Sequence, residues 1–141
     1  MVFERDVMSD VTTLKISEVM TRMPRCIESH QSLELAGKWM NELNVRHLPV
    51  REAGKVVGIL SDRDLGLMLG SDSSRKPEPK RKVEDAMISN VLTVLETQTV
   101  KDVAEQMLVH KVGSAVIAGP DGSVSGIFTD TDALKILCGR V

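Results

Sequence analysis

Apolar and polar residues alternate along this chain with two spacings, one typical of helices and one typical of strands. After Ser32, apolar residues recur every three or four positions, as one face of a helix requires, at Leu33, Ala36, Trp39, Met40 and Leu43. Two short apolar runs follow at residues 45–50 and 56–60, and the polar turn between them indicates a hairpin. Ser61 then begins a second predicted helix that extends to Leu69.

The second half of the chain repeats this order. The pattern predicts a short helix, a strand, a helix, two strands and a last helix, at residues 85–87, 92–95, Val100–His110, 115–117, 124–128 and from Thr129 onward. In the first half, the corresponding short helix and first strand are expected at residues 17–20 and 25–27. Each half is therefore predicted as β-α-β-β-α.

Individual residues recur along with the elements. Gly54, Val56, Gly58, Ile59, Asp62 and Asp64 return as Gly122, Val124, Gly126, Ile127, Asp130 and Asp132. The second copy has one extra residue in the turn before Val124, where loops absorb insertions. Each copy has about fifty residues, which is marginal for burying a core of its own. We therefore expect both copies to fold together as one mixed α/β (α+β) module with pseudo-twofold symmetry.

The repeats divide the chain into four segments. Residues 1–14 are predicted as an N-terminal leader with a strand or an arm at its end, and residues 15–70 form the first repeat. Residues 71–82 are polar, basic and interrupted by Pro, which is typical of a flexible linker. Residues 83–141 form the second repeat. The basic end of the linker, residues 80–82, is either a solvated charge run or a contact for a bound phosphate.

Composition narrows the classes of function. The 141 residues carry a formal net charge of -2, so overall charge attracts neither nucleic acid nor an anionic membrane. The aromatic residues are Phe3, Trp39 and Phe128, too few for the stacking platforms that bind single-stranded nucleic acid. No apolar run approaches the roughly 20 residues of a membrane span, and the N-terminus lacks a signal peptide's apolar stretch. Cys26 and Cys138 form no pair motif, which favours the cytoplasm.

One short motif occurs at the same place in both copies. Ser61-x-x-Asp64 and Thr129-x-x-Asp132 each lie where a predicted strand turns into a helix. A hydroxyl and a carboxylate at this spacing form a helix cap, which is a purely structural device. The same geometry presents helix N–H groups to a phosphate and a carboxylate to a ribose diol. Gly58 and Gly126 lack a Cβ and would let a ligand approach the strand, so the recurrence favours a binding site.

The combination of these motifs is similar to that of tandem CBS-domain pairs, also called Bateman modules. The resemblance covers residues 15–138 and rests on Glu18-Val19-Met20-Thr21, Val45-Arg46-His47-Leu48-Pro49-Val50 and Gly58-Ile59-Leu60-Ser61-Asp62-Arg63-Asp64, with their second-copy counterparts. It implies an intracellular regulatory or sensor module that binds AMP, ADP, ATP or S-adenosylmethionine in clefts between the repeats. It also implies a homodimer, because such pairs commonly associate into a disc of four repeats.

The resemblance assigns residues from both repeats to each of two clefts. The first cleft would place Ser61 and Asp64 on the phosphate and ribose, and the second would use Thr129 and Asp132 in the same way. The other expected contacts of the first cleft are Ile59, His47, Ile88, Thr93, Val112 and Gly113. Those of the second cleft are Ile127, Ser114, Thr21, Cys26, Val45 and Arg46.

The two copies differ at these positions. Arg46-His47 corresponds to Gly113-Ser114, and Arg63 corresponds to Thr131. Charge-assisted contacts to phosphate are roughly twice as strong as neutral ones, so the cleft that contains Arg63 is expected to prefer ligands with more phosphate charge. His47 by itself has three interpretations: a structural hydrogen bonder, a phosphate contact or a pH switch.

The sequence contains no recognisable catalytic or metal-binding motif. It has no P-loop, no G-x-S-x-G, no H-E-x-x-H and no His, Cys and Asp cluster with the spacing of metal ligands. We therefore expect no enzyme activity and no required cofactor. The expected partners are an adenine nucleotide, a second copy of the chain and an unidentified regulated protein. The alternative is a ligand-free dimerisation or protein-interaction module with the same fold.

Overall fold

The computed structural model of the chain describes residues 11–69 and 81–139. These residues belong to two compact units. The continuous unit spans Arg25–Val91, and the discontinuous unit combines the chain up to Pro24 with the chain from Leu92 onward. None of the helices within the described ranges has both the length and the apolar character that crossing a bilayer demands.

Short strands and helices alternate along the described residues. The strands are β1 Thr21–Arg22, β2 Ile27–Glu28, β3 His47–Glu52, β4 Lys55–Ser61, β5 Thr93–Leu95, β6 Ser114–Ala118 and β7 Val124–Thr129. The helices are α1 Leu33–Leu43, α2 Asp62–Leu69, α3 Val83–Ala86, α4 Val100–His110 and α5 Asp130–Leu137, and a 3-10 turn at Ile16–Glu18 precedes them. The mixed α/β fold class predicted from the sequence is confirmed.

The discontinuous unit is built on a four-stranded sheet in the order β1-β7-β6-β5. Strand β7 is antiparallel to both β1 and β6, whereas β5 and β6 are parallel and connected through α4. The core contains Phe128 and Ile117, which are both fully buried. Ile16 and Met20, from the start of the chain, are buried in the same core.

The continuous unit is built on a three-stranded sheet in the order β2-β3-β4. Strand β3 is parallel to β2 and antiparallel to β4, and Leu48, Leu60 and Val83 lie in the core. Ile88 forms an antiparallel bridge with Ile59, with N–H···O distances of 2.9 Å in both directions. This bridge corresponds to the pairing of β1 with β7 in the discontinuous unit, where Thr21 faces Ile127.

The compact units do not coincide with the sequence repeats. The segment 15–24 begins the first repeat, but its strand β1 pairs with β7 of the second repeat. The segment 83–91 begins the second repeat, but Val83 is buried in the core of the continuous unit. Each unit therefore takes its first helical turn and one pairing segment from the other repeat, while the four-segment division made from the sequence stays a prediction.

The end of the predicted leader differs from the expectation. Residues 11–13 are helical instead of forming a strand or an arm, and Val11 and Leu14 pack against the core of the discontinuous unit. The apolar contacts of these two residues outweigh the strand preference of the β-branched side chains, because that preference depends strongly on context. Residues 1–10 lie outside the described residues.

The predicted flexible linker, residues 71–82, lies outside the described residues except at its end. The carbonyl of Arg81 accepts the N–H of Leu33 at 3.1 Å. Lys82 forms an antiparallel bridge with Ser32, and its backbone N–H donates to the Asp85 carboxylate at 2.9 Å. Residues 81–82 are thus hydrogen-bonded to the continuous unit, and the flexible linker at residues 71–82 stays a prediction.

Candidate functional sites

Each unit contains one corner at which a strand turns directly into a helix. In the discontinuous unit, β7 ends at Thr129 and α5 begins at the next residue. The Thr129 hydroxyl accepts the backbone N–H of Asp132 at 3.3 Å and donates to Asp132 Oδ2 at 3.1 Å. The same carboxylate oxygen accepts the Thr129 N–H at 2.9 Å, which completes a capping box. We call this arrangement the Thr129 corner.

The continuous unit has an equivalent Ser61 corner between β4 and α2. The Ser61 hydroxyl accepts the Asp64 N–H at 3.0 Å and donates to Asp64 Oδ2 at 2.7 Å. The structural interpretation of the Ser/Thr-x-x-Asp motif as a helix cap is therefore confirmed at both corners. Within residues 11–69 and 81–139, however, the Oδ1 atoms of Asp64 and Asp132 have no hydrogen-bond partner. One carboxylate oxygen at each corner can accept hydrogen bonds from a ligand.

The neighbouring strand contributes a matched pair of residues to each corner. His47 is the register partner of Ser61, and Ser114 is the register partner of Thr129. The preceding residues also correspond: the Arg46 carbonyl accepts the Asp62 N–H at 2.8 Å, and the Gly113 carbonyl accepts the Asp130 N–H at 3.0 Å. The residues predicted from both motifs therefore meet at the corners, within their own units.

In each unit, a buried isoleucine lies two residues before the corner hydroxyl and faces a residue of a neighbouring segment. Ile59 and Ile127 are buried in the strands that lead to the corners, whereas Ile88, which faces Ile59, is 46% exposed. Thr21, which faces Ile127, is exposed as well. An exposed side chain beside a buried isoleucine offers a partly apolar surface on which a flat heterocycle could pack.

Gly58 and Gly126 have a different role from the predicted one. A Cβ at Gly58 would lie 2.5 Å from the Met87 sulfur and 3.0 Å from the Ile88 carbonyl oxygen. A Cβ at Gly126 would overlap the Met20 side chain. The space beside each glycine is filled by a methionine of the same unit, so these glycines permit side-chain packing. The expectation that they admit a ligand was wrong.

The remaining predicted contacts are distributed over both units. Thr93 is exposed on β5, and Val112 is half-buried before β6. Val45 packs against the core of the continuous unit. Cys26 is half-buried, and this burial raises the pKa of its thiol, with Arg51 opposing the shift and Glu28 reinforcing it. The assignment of these residues to clefts formed by both repeats stays a prediction.

One residue at the Thr129 corner was not identified from the sequence. Asp130 Oδ1 accepts the Thr131 N–H at 2.8 Å. Its other oxygen, Oδ2, lies 3.3 Å from the position that a Cβ on Gly113 would occupy. The only sequence signal for this contact was the recurrence of Asp at the first helical position of both copies.

The described part of the chain contains no group of three or more His, Cys, Asp or Glu side chains that could hold a metal ion. At each corner, the carboxylate that bonds the hydroxyl, Asp64 or Asp132, already forms part of a helix cap. The chemistry that the corners offer is hydrogen bonding: acceptor oxygens, hydroxyls and the first N–H groups of a helix.

Each sequence repeat contains one of the two corners, and each repeat matches a known domain family. The CBS domain family matches the chain at residues 16–65 and again at residues 83–139. These two matches cover most of the sequence, so the chain belongs to the CBS-domain family and carries two repeats of the domain. The resemblance to tandem CBS-domain pairs that was found in the sequence is confirmed.

Solved structures share the fold. The putative acetoin utilization protein AcuB from Vibrio cholerae is 30% identical, with a TM-score of 0.73 over 89% of this chain and 91% of that chain. The CBS domain pair of protein MJ0100, crystallised with 5′-methylthioadenosine and S-adenosyl-L-methionine, is 26% identical. Its TM-score is 0.77 over 90% of this chain and 98% of that chain.

Curated relatives are longer proteins. The L-aspartate semialdehyde sulfurtransferase of Methanocaldococcus jannaschii is 29% identical over 133 residues, which is 94% of this chain but 24% of that enzyme. Two uncharacterised proteins of the same organism are matched over 42% and 46% of their lengths. The chain thus spans between a quarter and a half of these relatives.

Proposed function

We propose that the chain is a non-catalytic regulatory module of the cytoplasm that binds adenosine-containing ligands at the Ser61 and Thr129 corners. The observation that carries the proposal is the duplication of one polar arrangement. A hydroxyl, a carboxylate with one oxygen unbonded among the described residues, and a helix N-terminus recur at equivalent places in both units. A helix cap alone explains one such arrangement, but it does not require equivalent positions of the adjacent strand to pair with the hydroxyl residue in both units.

The corners match the parts of a nucleoside. A carboxylate oxygen can accept hydrogen bonds from the two hydroxyls of a ribose. The first N–H groups of a helix favour an anionic or polar group next to the sugar. The buried isoleucine on the adjoining strand, Ile59 or Ile127, is suited to the apolar face of a base. AMP, ADP, ATP and S-adenosylmethionine all contain this nucleoside, and none is required as a cofactor.

The relatives support the proposal at the level of ligand class. The MJ0100 domain pair, which shares the fold over nearly its whole length, was crystallised with two adenosine derivatives. Because the curated relatives are longer than this chain, the protein that it regulates is not defined by them. The hydrogen-bonding groups of the corners support a nucleoside as the element that the candidate ligands share.

Calorimetric titration with adenosine, AMP, ATP and S-adenosylmethionine tests the proposal. We expect Asp64→Ala and Asp132→Ala each to weaken binding at one site by about 1–3 kcal/mol, the cost of losing a hydrogen bond from a charged group. Asp102→Ala is a matched control, because Asp102 closes the capping box with Thr99 at the start of α4, a helix that does not begin at either corner. Unchanged titrations for both corner variants would overturn the residue assignment.

A ligand-free dimerisation module is the second candidate. It is favoured by exposed apolar side chains in α4 and α5, where Leu108 and Val109 are 78% and 77% exposed and Leu134 and Leu137 are 61% and 63% exposed. Twofold pairing is the commonest way to cover such surface. Light scattering is expected to give twice the chain mass, and Leu134→Glu with Leu137→Glu to give the monomer mass. A dimer that binds none of the four compounds would favour this candidate.

A further inference from the structure

Residues 11–24, which we call the N-terminal segment, fill a place in a core that another part of the chain builds. Ile16 is fully buried and Met20 is 8% exposed, both in the core of the discontinuous unit. All other described residues of this unit come from residues 92–139, whereas the segment continues along the chain into the continuous unit. The discontinuous unit therefore contains a groove, formed by residues 92–139, that a separate stretch of chain occupies.

Backbone hydrogen bonds also hold the N-terminal segment in this groove. Lys15 and Thr99 form an antiparallel bridge, and the adjacent Ile16 N–H donates to the Gln98 carbonyl at 2.7 Å. Further along, β1 adds to the edge of the sheet beside β7. Main-chain bonds of this kind are the means by which a segment of one chain adds to the sheet of another. The groove can therefore be filled equally well by the segment of a second copy.

The connection that leaves the segment is strained. Met23 has a φ of 48°, in the left-handed region, and Pro24 follows it. Residues other than glycine are disfavoured there because the Cβ lies too close to the following carbonyl oxygen. A residue before proline is in addition restricted to extended conformations. The Met23 side chain is 84% exposed, so its packing offsets little of this strain.

The strained connection, Met23 and Pro24, is held on both sides, and we call it the hinge. The Met23 N–H donates to the Ser125 carbonyl at 3.0 Å, which fixes the end of the segment to the discontinuous unit. Arg25 begins the continuous unit, and its guanidinium carbon lies 4.2 Å from the ring centre of Trp39. The hinge thus has few residues over which to relax, and short hinges under strain favour the exchange of segments between chains.

We propose that the N-terminal segment exchanges between two copies of this chain, so that residues 11–24 of each copy fill the groove of the other. The exchanged dimer keeps every contact of the segment and lets Met23 extend, as the following proline favours. Exchange of an identical element is a low-cost route to a dimer because its interface already exists within one chain. The proposal goes beyond the proposed function, although Thr21, which faces Ile127 next to the Thr129 corner, would then come from the second copy.

Two full-length chains with one cysteine each detect the exchange. Both carry Cys26→Ser and Cys138→Ser; one also carries Lys15→Cys and the other Thr99→Cys. Residues 15 and 99 lie opposite one another between flanking hydrogen bonds, the closely spaced arrangement of an antiparallel ladder that a disulfide can span. The two cysteines meet only when the segment of one chain lies in the groove of the other. The product is a disulfide-linked heterodimer on a non-reducing gel, and circular dichroism checks that each chain is folded.

A brief oxidation pulse after mixing at about 100 µM is expected to link about a tenth of the chains, because a short connection gives a segment an effective concentration in the millimolar range within its own chain. The linked fraction is expected to rise with protein concentration. A single chain with both Lys15→Cys and Thr99→Cys confirms that the disulfide can form. Glu105→Cys in place of Thr99→Cys gives the background from random collisions, since residue 105 lies about 9 Å further along α4.

Variants of the hinge, placed in both chains, test the cause of the exchange. Met23→Gly fits the left-handed conformation without strain and is expected to lower the linked fraction about fivefold to tenfold. Met23→Val, with a β-branched side chain, is expected to raise it. Ala53→Val is the matched control, because Ala53 also has a positive φ, of 51°, but lies in the turn between β3 and β4. It is expected to leave the linked fraction unchanged.

The outcomes separate this inference from the proposed function, because none of the measurements uses a nucleoside. A heterodimer no more abundant than the Glu105→Cys background, while the chain with both cysteines closes, would overturn the exchange. A dimer that forms through α4 and α5 alone gives this same negative result, since every segment then stays in its own chain. Equal linked fractions for Met23→Gly and Met23→Val, or an increase with Ala53→Val, would overturn hinge strain as the cause.

Discussion

In each unit, a methionine packs against a glycine of the strand that leads to the candidate corner. Met20 lies against Gly126, and Met87 lies against Gly58. Methionine is unbranched and fills irregular gaps well. Each of these methionines follows a short helical turn and packs against the glycine of a strand in the same unit. The recurrence of glycine at equivalent positions thus has a packing origin, although the sequence alone made ligand access an equally good explanation.

Gly126→Ala is expected to lower the free energy of unfolding by about 1–3 kcal/mol, because the added methyl group overlaps Met20 in a filled core. Gly66→Ala is a suitable control. Gly66 is exposed in α2 and has no neighbouring atom within 4 Å of the place that an added methyl group would take, so alanine there should raise stability by about 0.5–1 kcal/mol. Urea unfolding measures both changes.

The double variant Gly126→Ala with Met20→Ala isolates the contact. If the overlap is the cause, the two changes are not additive, since the shortened side chain makes room for the methyl group. Additive losses, or a Gly126→Ala variant that loses ligand affinity while retaining full stability, would contradict the packing explanation.

Cys26 is expected to react slowly with alkylating reagents. Burial raises the pKa of its thiol from the usual value of 9.0, so folding favours the protonated form. The associated stability is fully present below the ordinary pKa and is lost as the pH rises through the folded value. At mildly alkaline pH, mass spectrometry after iodoacetamide treatment should show Cys26 modified more slowly than the exposed Cys138. Equal rates in the folded protein, or unequal rates in denaturant, would contradict this account.

At the scale of single elements, capping boxes begin both α4 and α5. Thr99 and Thr129 each accept the N–H three residues later, and Asp102 and Asp132 return the bond. Thr99→Ala and Thr129→Ala are therefore expected to reduce stability alike, by about 1 kcal/mol. Binding separates them: calorimetry should show weaker adenosine binding for Thr129→Ala alone. Equal binding by both variants would mean that the Thr129 hydroxyl serves only the helix.

A helix or strand could be predicted from the sequence where the residues that define it are close together in the chain. Helix Val100–His110 was predicted with both of its bounds, because apolar spacing and the Thr99 cap lie within it or next to it. The short helix before β5 begins at Val83, two residues earlier than predicted, since the cap from Asp85 to the Lys82 N–H sets its start. Strand β1 has two residues and no pattern of its own; only its pairing with β7 defines it.

The candidate sites were predictable to the same extent. The hydroxyl and carboxylate of each corner lie three residues apart, so the sequence identified Ser61, Asp64, Thr129 and Asp132 as a cluster. Their strand partners, His47 and Ser114, were implied by the resemblance to tandem CBS-domain pairs. The approach of Asp130 to Gly113 depends on tertiary geometry that no spacing reveals.

At the scale of the whole molecule, each compact unit completes its core with a segment from the other repeat. Ile16 and Met20 are buried in the discontinuous unit, and Val83 is buried in the continuous unit. Fully burying one such apolar side chain contributes about 1.5–3 kcal/mol, which is a large part of the stability of a small unit. A repeat cut at its sequence boundaries would lose these contributions.

The division into sequence repeats and the division into compact units therefore predict opposite unfolding behaviour for isolated fragments. Fragment 25–91 contains all three strands of the continuous unit together with Val83 and Ile88, so it is expected to unfold cooperatively in urea. Fragment 15–70 has the sequence repeat but lacks Val83, and it exposes Ile16 and Met20, so we expect no cooperative transition. Val83→Asp in fragment 25–91 should abolish cooperativity, because it places an unpaired charge in the core. Cooperative unfolding of fragment 15–70 would show that the sequence repeat, and not the compact unit, is the folding unit of this protein.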